Sequence, residues 1–486
     1  MQTQDRMFIG GQWRAPSSSA TIDVVSPHSE ETIARVPEGR EADVDAAVAA
    51  ARRAFDEGPW PRMPAAERAA HMAQVSAILQ ARSEEIAETI TREMGAPISF
   101  SNLGQAMAAN MVLDYFTGLA RDYAFEELRQ GMMGPCLVRH EPVGVVAAIV
   151  PWNVPLFTIM LKLAPALAAG CTIVVKPAPE TPLDAYILAE ACVQAGLPEG
   201  VVSIVTAGRE VGEYLVRHPL VDKVSFTGST AAGRRIASIC GEQLKRVTLE
   251  LGGKSACIVM EDADLDMAIP GLMGGAIMNN GQACVGQTRI LAPRSRYEEV
   301  AERLAAAVGA MRVGDPMDPS TECGPLVSAR QRERVEGYIR IGRDEGAKIA
   351  VGGGRPASQG KGWYVEPTLF RDVKNSMRIA REEIFGPVLA LIPFDDEKDA
   401  VAIANDSEYG LAGSVWTANV DKGLDVARRV RTGVYTVNGF MMEFGSPFGG
   451  FKASGVGREL GPEGLRAYLE SKQVNLPWGY EPALRQ

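Results

Sequence analysis

Hydrophobic and polar residues near the start of the chain follow two distinct patterns. The segment MFIGGQW (7–13) places two short apolar stretches around a Gly-Gly pair, which predicts a hairpin. Apolar side chains in residues 41–55 recur at helical spacing, and a second helical pattern runs from about Pro64 to Met94. Gly95, with Pro97 soon after it, predicts the end of that second helix.

From Val143 onward the pattern changes to short, continuously apolar strands that alternate with helical stretches. This repetition predicts a parallel, doubly wound sheet and therefore an α/β fold. The first series has strands predicted at 145–150, 172–175, 202–205 and 223–226, with helices at 156–169 and 183–195. A second α/β series has strands predicted at 256–259, 288–292, 388–394 and 413–417.

Two segments stand apart from both series. Residues 123–142 interrupt the first series and fit neither a helix nor a core strand, so this segment is a candidate for pairing with another subunit. The tail after Glu470 is strand-like at first and then rich in proline.

Composition and charge narrow the class of protein. The chain has 486 residues, 46% hydrophobic and 23% charged, as expected for a soluble globular protein of several domains. The net charge of −10 comes without a basic stripe, so we expect no nucleic acid partner. No apolar stretch is long enough for a membrane span, and the first residues lack a secretory signal. Four His and seven Cys, without a CxxC pair, predict a cytoplasmic protein with no metal site.

Small and reactive residues occur where predicted strands end, at the edge where open α/β sheets bind ligands. The segments are PWNVP (151–155), FTGSTAAG (226–233), LELGGK (249–254) and NNGQACVGQTR (279–289). In the second of these, Gly228 and Gly233 either permit a tight turn and close helix packing or place Ser229 and a helix N-terminus against a pyrophosphate.

Cys284 differs from most other cysteines in its surroundings. Four of the others lie in apolar strands or helices, where a small buried hydrophobe is expected: Cys171, Cys192, Cys240 and Cys257. Cys284 instead lies in the polar, glycine-flanked loop GQACVGQ, which suits an accessible thiol and makes it a candidate nucleophile.

These segments, in this order and spacing, resemble the aldehyde dehydrogenase superfamily over nearly the whole chain. The similarity extends to KPAPETP (176–182), EEIFGPV (382–388) and NGFMMEFGSPFGGFKASGVGREL (438–460). It implies a Rossmann-like dinucleotide-binding domain (1–122 and 143–252) and an α/β catalytic domain (253–467). A small β oligomerisation element (123–142 and 468–486) would assemble a homodimer or homotetramer.

The resemblance also implies that the chain oxidises an aldehyde to a carboxylic acid. Cys284 would be the nucleophile, forming a thiohemiacetal that becomes a thioester, and Glu250 the base that activates the hydrolytic water. Asn153 would donate to the oxyanion, and Lys162 and Glu459 would relay the proton from Glu250. Without the resemblance, the sequence is equally consistent with other roles for these residues. Glu250 would then be a surface residue, Asn153 a turn residue, and Lys162 a lysine whose ammonium reaches solvent.

NAD is the cofactor that the resemblance implies. Trp152 and Lys176 match positions beside the adenosine ribose, whereas Glu383 and Phe385 match those around the nicotinamide ribose and ring. Further matched cofactor positions are Gly228, Ser229, Gly233 and, less closely, Gln331. Relatives that prefer NAD often carry Glu where this chain has Pro179, with Glu180 one position later, so NADP use stays open.

The predicted substrate is a neutral, apolar aldehyde. Residues flanking the matched motifs are apolar or small, without a cation for a second carboxylate, although such residues can equally be core. They are Phe157, Leu161, Ala283, Val285, Met442 and Phe448.

Two other functions compete with this interpretation. A CoA-acylating semialdehyde dehydrogenase would pass the thioester to CoA, and the presence of Glu250 disfavours it because thiol attack needs no water-activating base. A binding protein that kept the fold without turnover is disfavoured by the joint presence of Cys284, Glu250 and Asn153.

Overall fold

The computed structural model describes residues 2–484, which contain four β-sheets. The strands are β1 (Gln2–Thr3), β2 (Met7–Ile9), β3 (Gln12–Arg14), β4 (Thr21–Val25), β5 (Thr32–Pro37), β6 (Glu126–Gly131), β7 (Gly134–Pro142), β8 (Val145–Ile149), β9 (Thr172–Lys176), β10 (Val202–Ile204), β11 (Lys223–Thr227), β12 (Arg246–Glu250), β13 (Ala256–Val259), β14 (Arg289–Pro293), β15 (Lys348–Val351), β16 (Thr368–Arg371), β17 (Val388–Phe394), β18 (Gly413–Trp416), β19 (Thr436–Val437), β20 (Gly455–Val456) and β21 (Leu469–Asn475).

Helices connect these strands. They are α1 (Glu41–Asp56), α2 (Ala65–Ala81), α3 (Ser83–Met94), α4 (Ile98–Phe100), α5 (Ala108–Asp122), α6 (Pro155–Ala169), α7 (Leu183–Gln194), α8 (Arg209–Arg217), α9 (Thr230–Glu242), α10 (Leu265–Ala276), α11 (Tyr297–Ala310), α12 (Ala329–Asp344), α13 (Arg378–Arg381), α14 (Glu397–Asn405), α15 (Val420–Arg429) and α16 (Gly461–Arg466). A π-helical stretch, Ser101–Met107, joins α4 to α5.

The first large sheet has the order β20-β12-β11-β8-β9-β10-β2-β3, and the strands from β12 to β10 are parallel. Alternate residues of its strands enter two different cores. Val146 and Ala148 pack with helices α2, α5, α6 and α7, while Val145 and Ala147 pack with α1, α8 and α9. Helices on both faces explain why central strands such as β8 are buried at every position, and the prediction of a doubly wound parallel sheet is confirmed.

The second large sheet has the order β15-β16-β17-β14-β13-β18-β19, with β15 antiparallel to its neighbour. Its parallel strands β13, β14, β17 and β18 occupy the four positions predicted for the second series. The α/β fold is therefore confirmed for both halves, whereas the domain boundaries at 252 and 467 stay predictions. Strand β20 pairs with β12 of the first sheet, so a late segment returns to the edge of that sheet.

A third sheet, β21-β7-β6, contains the two segments that stand apart in the sequence. Residues 126–142 form a hairpin, and β21 pairs antiparallel with β7 along its whole length. The strand-like start of the tail is thus confirmed. The predicted hairpin at residues 7–13 is also confirmed, as β2 and β3.

One helix prediction was wrong in extent. The pattern from Pro64 to Met94 forms two helices, α2 and α3, because the backbone of Arg82 leaves the helical region with φ −107° and ψ 15°. The Arg82 guanidinium binds Glu85 and Glu190, which fixes this break against α7. Helix α3 ends at Gly95, as predicted, and Gly95 adopts the left-handed conformation.

Among the described residues, we find no helix with the length and apolar character required to span a bilayer.

Candidate active site

A cleft of about 420 Å³ opens where the carboxyl ends of β8, β11 and β12 meet a set of loops from the second half of the chain. The strand ends contribute Pro151–Val154, Thr227–Ser229 and Glu250–Gly252. The remaining lining residues are Thr158, Cys284, Arg330, Gln331, Arg334, Glu383 and Phe385. All four predicted segments therefore contribute to one cleft, LELGGK through Glu250, Leu251 and Gly252.

The loop that carries Cys284 begins with a strained turn. Asn279, Asn280 and Gly281 all have positive φ, at 54°, 61° and 71°. Asparagine tolerates this left-handed conformation better than other non-glycine residues, and such turns concentrate at functional sites. At Gly281 a Cβ atom would lie 2.2 Å from the carbonyl oxygen of Gly386, so glycine lets this loop approach the loop that carries Phe385.

Asn280 anchors that turn from within the protein. Its side-chain amide donates to the carbonyls of Gly95 and Pro325, at 2.8 and 2.9 Å, and its oxygen accepts from the N–H of Gly324. Every group of the amide is therefore bound to backbone, which holds the strained turn in place. This role of Asn280 was not predicted from the sequence, although an Asn-Asn-Gly run is typical of a left-handed turn.

Cys284 lines the cleft and is half-buried, in contrast to the four cysteines predicted to be core residues, all of which are buried. Burial, followed by the nearby carboxylates Glu383 and Glu250, raises the pKa of the Cys284 thiol to about 12. The thiol is thus protonated at neutral pH, and any attack by its sulfur requires a group that accepts the proton.

Asn153 is held beside the Cys284 loop. Its side-chain N–H donates to the carbonyl of Gln282 at 2.8 Å, and Asn279 donates to the Asn153 carbonyl at the same distance. The amide has two N–H donors, and this contact uses one of them. Asn153 is therefore a rigidly placed donor on the cleft wall, three residues after the end of the apolar run 145–150 that contains β8.

Glu250 is the last residue of β12 and is 3% exposed. Neither carboxylate oxygen has a hydrogen-bond partner among the described residues. Burial and the nearby Glu459 raise the pKa of Glu250 well above that of an ordinary glutamate, while Lys162 and Arg458 act in the opposite direction. The expectation of a surface glutamate is wrong.

Lys162 and Glu459 form a buried ion pair. The Lys162 ammonium lies 2.7 Å from Glu459 Oε1 and donates to Thr227 Oγ1, also at 2.7 Å. The two side chains are 0% and 1% exposed, so the alternative in which Lys162 reaches solvent is wrong. The ion pair, together with the hydrogen bond from Lys162 to Thr227, offsets the free-energy cost of burying both charges.

Glu383 and Phe385 are positioned by contacts from both halves of the chain. The Gly253 N–H donates to Glu383 Oε1 at 3.1 Å, and burial raises the pKa of Glu383 to about 6. Phe385 has φ 63°, and Gln331 donates to its carbonyl at 2.7 Å. The Phe385 ring meets Trp152 edge-on, with the centroids 5.3 Å apart.

The turn after β11 leads into the 13-residue helix α9. Ser229 is its N-cap and accepts from the Ala232 N–H, and Gly228 and Ser229 both line the cleft. Gly233 lies one turn into the helix, where a Cβ atom would come within 2.5 Å of Leu251. Gly233 thus permits close packing of helix on sheet, while the helix N-terminus faces the cleft with its positive end.

Lys176 lies apart from the residues that line the cleft. It is buried, and its ammonium donates to the carbonyls of Pro177 and Ala207 at 2.9 and 2.8 Å. Its predicted contact with the adenosine ribose stays a prediction. Nearby, Glu180 pairs with Arg330 at 3.4 Å, which brings the loop after β9 to a residue of the cleft wall.

Arg330 and Arg334 on α12 line the cleft and were missed from the sequence. Their spacing of four places both on one face of the helix, and they follow the N-cap Ser328. Arg334 donates to the carbonyls of Glu383 and Ile384, so it braces the same loop as Gln331. The sequence does contain a signal for this pair, because Arg330 and Arg334 are four residues apart and lie beside the matched Gln331.

The six residues predicted to line a substrate tunnel are buried or half-buried. Four are less than 9% exposed: Phe157, Leu161, Val285 and Phe448. Val285, Met442 and Phe448 surround one small apolar cavity, separate from the cleft, and Phe157 packs against Phe444 at 6.2 Å between centroids. Their role as a tunnel stays a prediction.

The model of the "Aldehyde dehydrogenase family" matches residues 13–474. A geranial dehydrogenase from Castellaniella defragrans is 49% identical over 471 residues, which cover 97% of this chain and 98% of that protein.

Two solved structures have nearly the same fold. The aldehyde dehydrogenase of Mycobacterium tuberculosis complexed with NAD+ has a TM-score of 0.98 and 52% identity, covering 99% of this chain and 100% of that one. A mutant of aldehyde dehydrogenase C from Pseudomonas syringae, complexed with NAD+ and octanal, has a TM-score of 0.94 and 42% identity, covering 99% and 97%.

Proposed function

The chain belongs to the aldehyde dehydrogenase family, and from this premise we propose that Cys284, Glu250 and Asn153 carry the reaction on a neutral, apolar aldehyde. The chain oxidises an aldehyde to the carboxylic acid with NAD as its cofactor. One observation above all supports the assignment of residues. Side chains from three separate segments line a single cleft together with Glu383 and Phe385.

Cys284 attacks the carbonyl carbon of the aldehyde, and the C=O double bond opens to an oxyanion on a tetrahedral thiohemiacetal. The thiol must lose its proton in this step, because its pKa is raised to about 12. Glu250 lines the same cleft and can accept this proton, and so can Glu383, the second carboxylate of the cleft. A sulfur nucleophile suits this step because the resulting thioester is readily hydrolysed.

The residues of the cleft fit NAD. Glu383 offers a buried carboxylate for ribose hydroxyls, and the N-terminus of α9 with Arg330 and Arg334 suits phosphate groups. Phe385 and Trp152 offer aromatic surface beside them. When bound, NAD supplies the hydride acceptor that turns the thiohemiacetal into a thioester.

Lys162 and Glu459 first carry away any proton that Glu250 received from the thiol. Glu250 then takes a proton from the water that attacks the thioester carbonyl. The C–S bond breaks, the carboxylic acid leaves, and the Cys284 sulfur regains a proton. Lys162 and Glu459 lie behind Glu250 and pass its proton onward. The orphaned carboxylate oxygens of Glu250 are suited to hold such a water.

Asn153 stabilises the oxyanion in this scheme, and Asn153→Ala is expected to lower kcat by about 10²- to 10³-fold with little change in NAD affinity. The physical reason is that the fixed amide N–H meets the charge only as it develops in the transition state. Stopped-flow NADH formation and a separate NAD titration measure the two quantities. Asn475→Ala, at an exposed asparagine of β21, is the matched control. A kcat within about threefold of the unmodified enzyme would rule out the oxyanion role.

The proposed substrate class follows from the apolar residues around the motifs, and two relatives agree with it. One is named a geranial dehydrogenase and another was solved with octanal. We expect kcat/KM for straight-chain aldehydes to rise about fourfold for each added methylene that becomes buried, since burying one is worth ~0.8 kcal/mol. Aldehydes that carry a second carboxylate are expected to be poor substrates, because no lysine or arginine is among the predicted tunnel residues.

A series of aldehydes, assayed with NAD or NADP and with or without CoA, tests this proposal. We expect the acid to form without CoA, and NAD to be preferred, because the two solved aldehyde dehydrogenases that share this fold are complexes with NAD+. A semialdehyde with a carboxylate as the best substrate would refute the substrate class. A strict CoA requirement would refute the hydrolytic step.

The third sheet is proposed to join copies of the chain into a homodimer or homotetramer. Its hairpin tip exposes Met132 and Met133 almost fully, and Trp478 of the tail is 75% exposed beside it. Apolar side chains in such a patch are typical of a protein contact surface.

All seven cysteines are free, which supports a reducing, cytoplasmic location.

A further inference from the structure

One face of α12 lies against the loop that carries Glu383 and Phe385. The side chains on this face recur at the three- and four-residue spacing of a helix and are Gln331, Arg334, Val335 and Tyr338. Three of them form hydrogen bonds to residues 382–385. The fourth, Val335, packs against Gly386, where a Cβ atom would lie 2.5 Å from Val335 Cγ2. The helix therefore contacts every residue of the loop from 382 to 386.

The loop needs this support because the backbone of Phe385 is left-handed, with φ 63°. Such a conformation costs free energy for any residue with a Cβ atom, and it persists only where surrounding contacts fix it. Gln331 donates to the Phe385 carbonyl at 2.7 Å. Arg334 donates from Nε and Nη2 to the carbonyls of Ile384 and Glu383. Two side chains of α12 thus hold three successive carbonyls.

Tyr338 holds the Arg334 guanidinium in place. Arg334 is exposed, and an unsupported arginine side chain on a protein surface has many conformations. The Arg334 Cζ atom lies 5.2 Å from the centroid of the Tyr338 ring, which is within the range of a cation–π contact. Tyr338 itself is 9% exposed, so its ring offers a fixed surface. The ring therefore favours the position from which Arg334 reaches the two carbonyls.

The Tyr338 hydroxyl binds the start of the same loop. It donates to Glu382 Oε2 at 2.7 Å. The Glu382 carboxylate also accepts from Arg378, at 2.8 and 3.0 Å. Because Glu382 has this second partner, we expect the hydroxyl of Tyr338 to matter less than its ring for the position of the loop.

We propose that Tyr338 is a positioning residue for the part of the cleft that receives the nicotinamide half of NAD. Tyr338 does not line the cleft and acts through Arg334 and Glu382, which hold the loop of Glu383 and Phe385. The inference rests on the proposed function, in which these last two residues bind that half of the cofactor. AMP lacks the nicotinamide half, so changes at Tyr338 weaken the binding of NAD and spare that of AMP.

Tyr338→Leu tests the proposal by removing the ring and the hydroxyl together. We expect the ratio of the Kd of NAD to the Kd of AMP to rise about tenfold, with both constants measured by titration calorimetry. Tyr338→Phe keeps the ring and loses only the hydroxyl, so the ratio should rise by about threefold. This milder variant gives the decisive ratio if Tyr338→Leu does not fold.

Tyr297→Leu is the matched control. Tyr297 is a buried tyrosine of α11 whose hydroxyl accepts from the Asp372 N–H, and the Arg371 Cζ atom lies 5.7 Å from its ring centroid. The substitution removes the same kinds of contact from the second half of the chain without touching the cleft lining. We expect this variant to unfold at a lower temperature and to keep the NAD-to-AMP ratio of the unmodified enzyme.

A double variant tests the contribution of Arg334. If Tyr338 acts mainly through Arg334, adding Tyr338→Leu to Arg334→Met should weaken NAD binding by no more than about twofold beyond Arg334→Met alone. A full tenfold loss on top of the loss in Arg334→Met would contradict this part of the inference.

Two results would overturn the inference as a whole. One is an unchanged NAD-to-AMP ratio in the Tyr338 variants, and the other is an equal weakening of NAD and AMP, which would give Tyr338 a merely structural role. Glu383→Gln separates the inference from the proposed function. If Glu383→Gln binds NAD as tightly as the unmodified enzyme, the proposed nicotinamide site is wrong. If it binds NAD more weakly while the Tyr338 variants keep the original ratio, only the role of Tyr338 is wrong.

Discussion

Cys284→Ala is expected to lower aldehyde oxidation by at least about 10⁴-fold, the largest effect of any single substitution in this chain. The methyl group cannot form a covalent bond to the carbonyl carbon, so the hydride never becomes attached to a tetrahedral centre from which it can leave. NAD affinity should change little, since the cofactor residues come from other loops. NADH formation and NAD binding, measured on the same preparation, give both quantities.

The control for this variant is Cys136→Ala. Cys136 is also half-buried and free, but it lies in β7 of the third sheet. Its substitution should leave turnover within about twofold of the unmodified enzyme. Normal turnover by Cys284→Ala would show that another group attacks the aldehyde, and the assignment of the nucleophile would be wrong.

Glu250→Gln is expected to lower steady-state turnover by about 10³- to 10⁴-fold, because it slows the hydrolysis of the thioester. The amide keeps the size of the side chain but cannot take a proton from water. If Cys284 loses its proton by another route in the first turnover, a burst approaching one NADH per active site should precede the slow phase. Rapid mixing resolves the two phases.

The role of Glu250 also predicts the direction in which the hydrolysis rate changes with pH. Hydrolysis needs Glu250 deprotonated, and burial raises the pKa of its carboxyl group, so the rate should climb with pH above the range where an ordinary glutamate titrates. Glu250→Gln should lose this limb. Glu242→Gln, an exposed glutamate at the end of α9, should retain it. An unchanged steady-state rate in Glu250→Gln would remove Glu250 from the mechanism, or show that hydrolysis does not limit the rate.

The sequence predicts the two large sheets well because their strands are buried on both faces. Several of these strands are continuous apolar runs, as in residues 145–150, and this pattern differs clearly from helical spacing. Helix ends with a glycine signal are predicted well for a similar reason, as at Gly95. The break at Arg82 escapes prediction because it depends on Glu190 of another helix.

The cleft itself was predictable only in part. The predicted strand ends place Asn153 and Glu250 at the same edge of the first sheet. The close approach of Gly281 to Gly386, by contrast, joins residues more than a hundred positions apart, and no local sequence pattern predicts it. The buried state of Lys162 likewise depends on Glu459, almost three hundred residues later. Contacts of this kind are properties of the fold rather than of any segment.

The most direct test of the account is the covalent state of Cys284 during turnover. Glu250→Gln is mixed with NAD and an apolar aldehyde, quenched in acid, and its mass determined whole and after digestion. The account predicts an added mass equal to the aldehyde less two hydrogen atoms, located on the peptide that contains Cys284. An acyl group on any other residue, or a full burst of NADH without added mass, would contradict it.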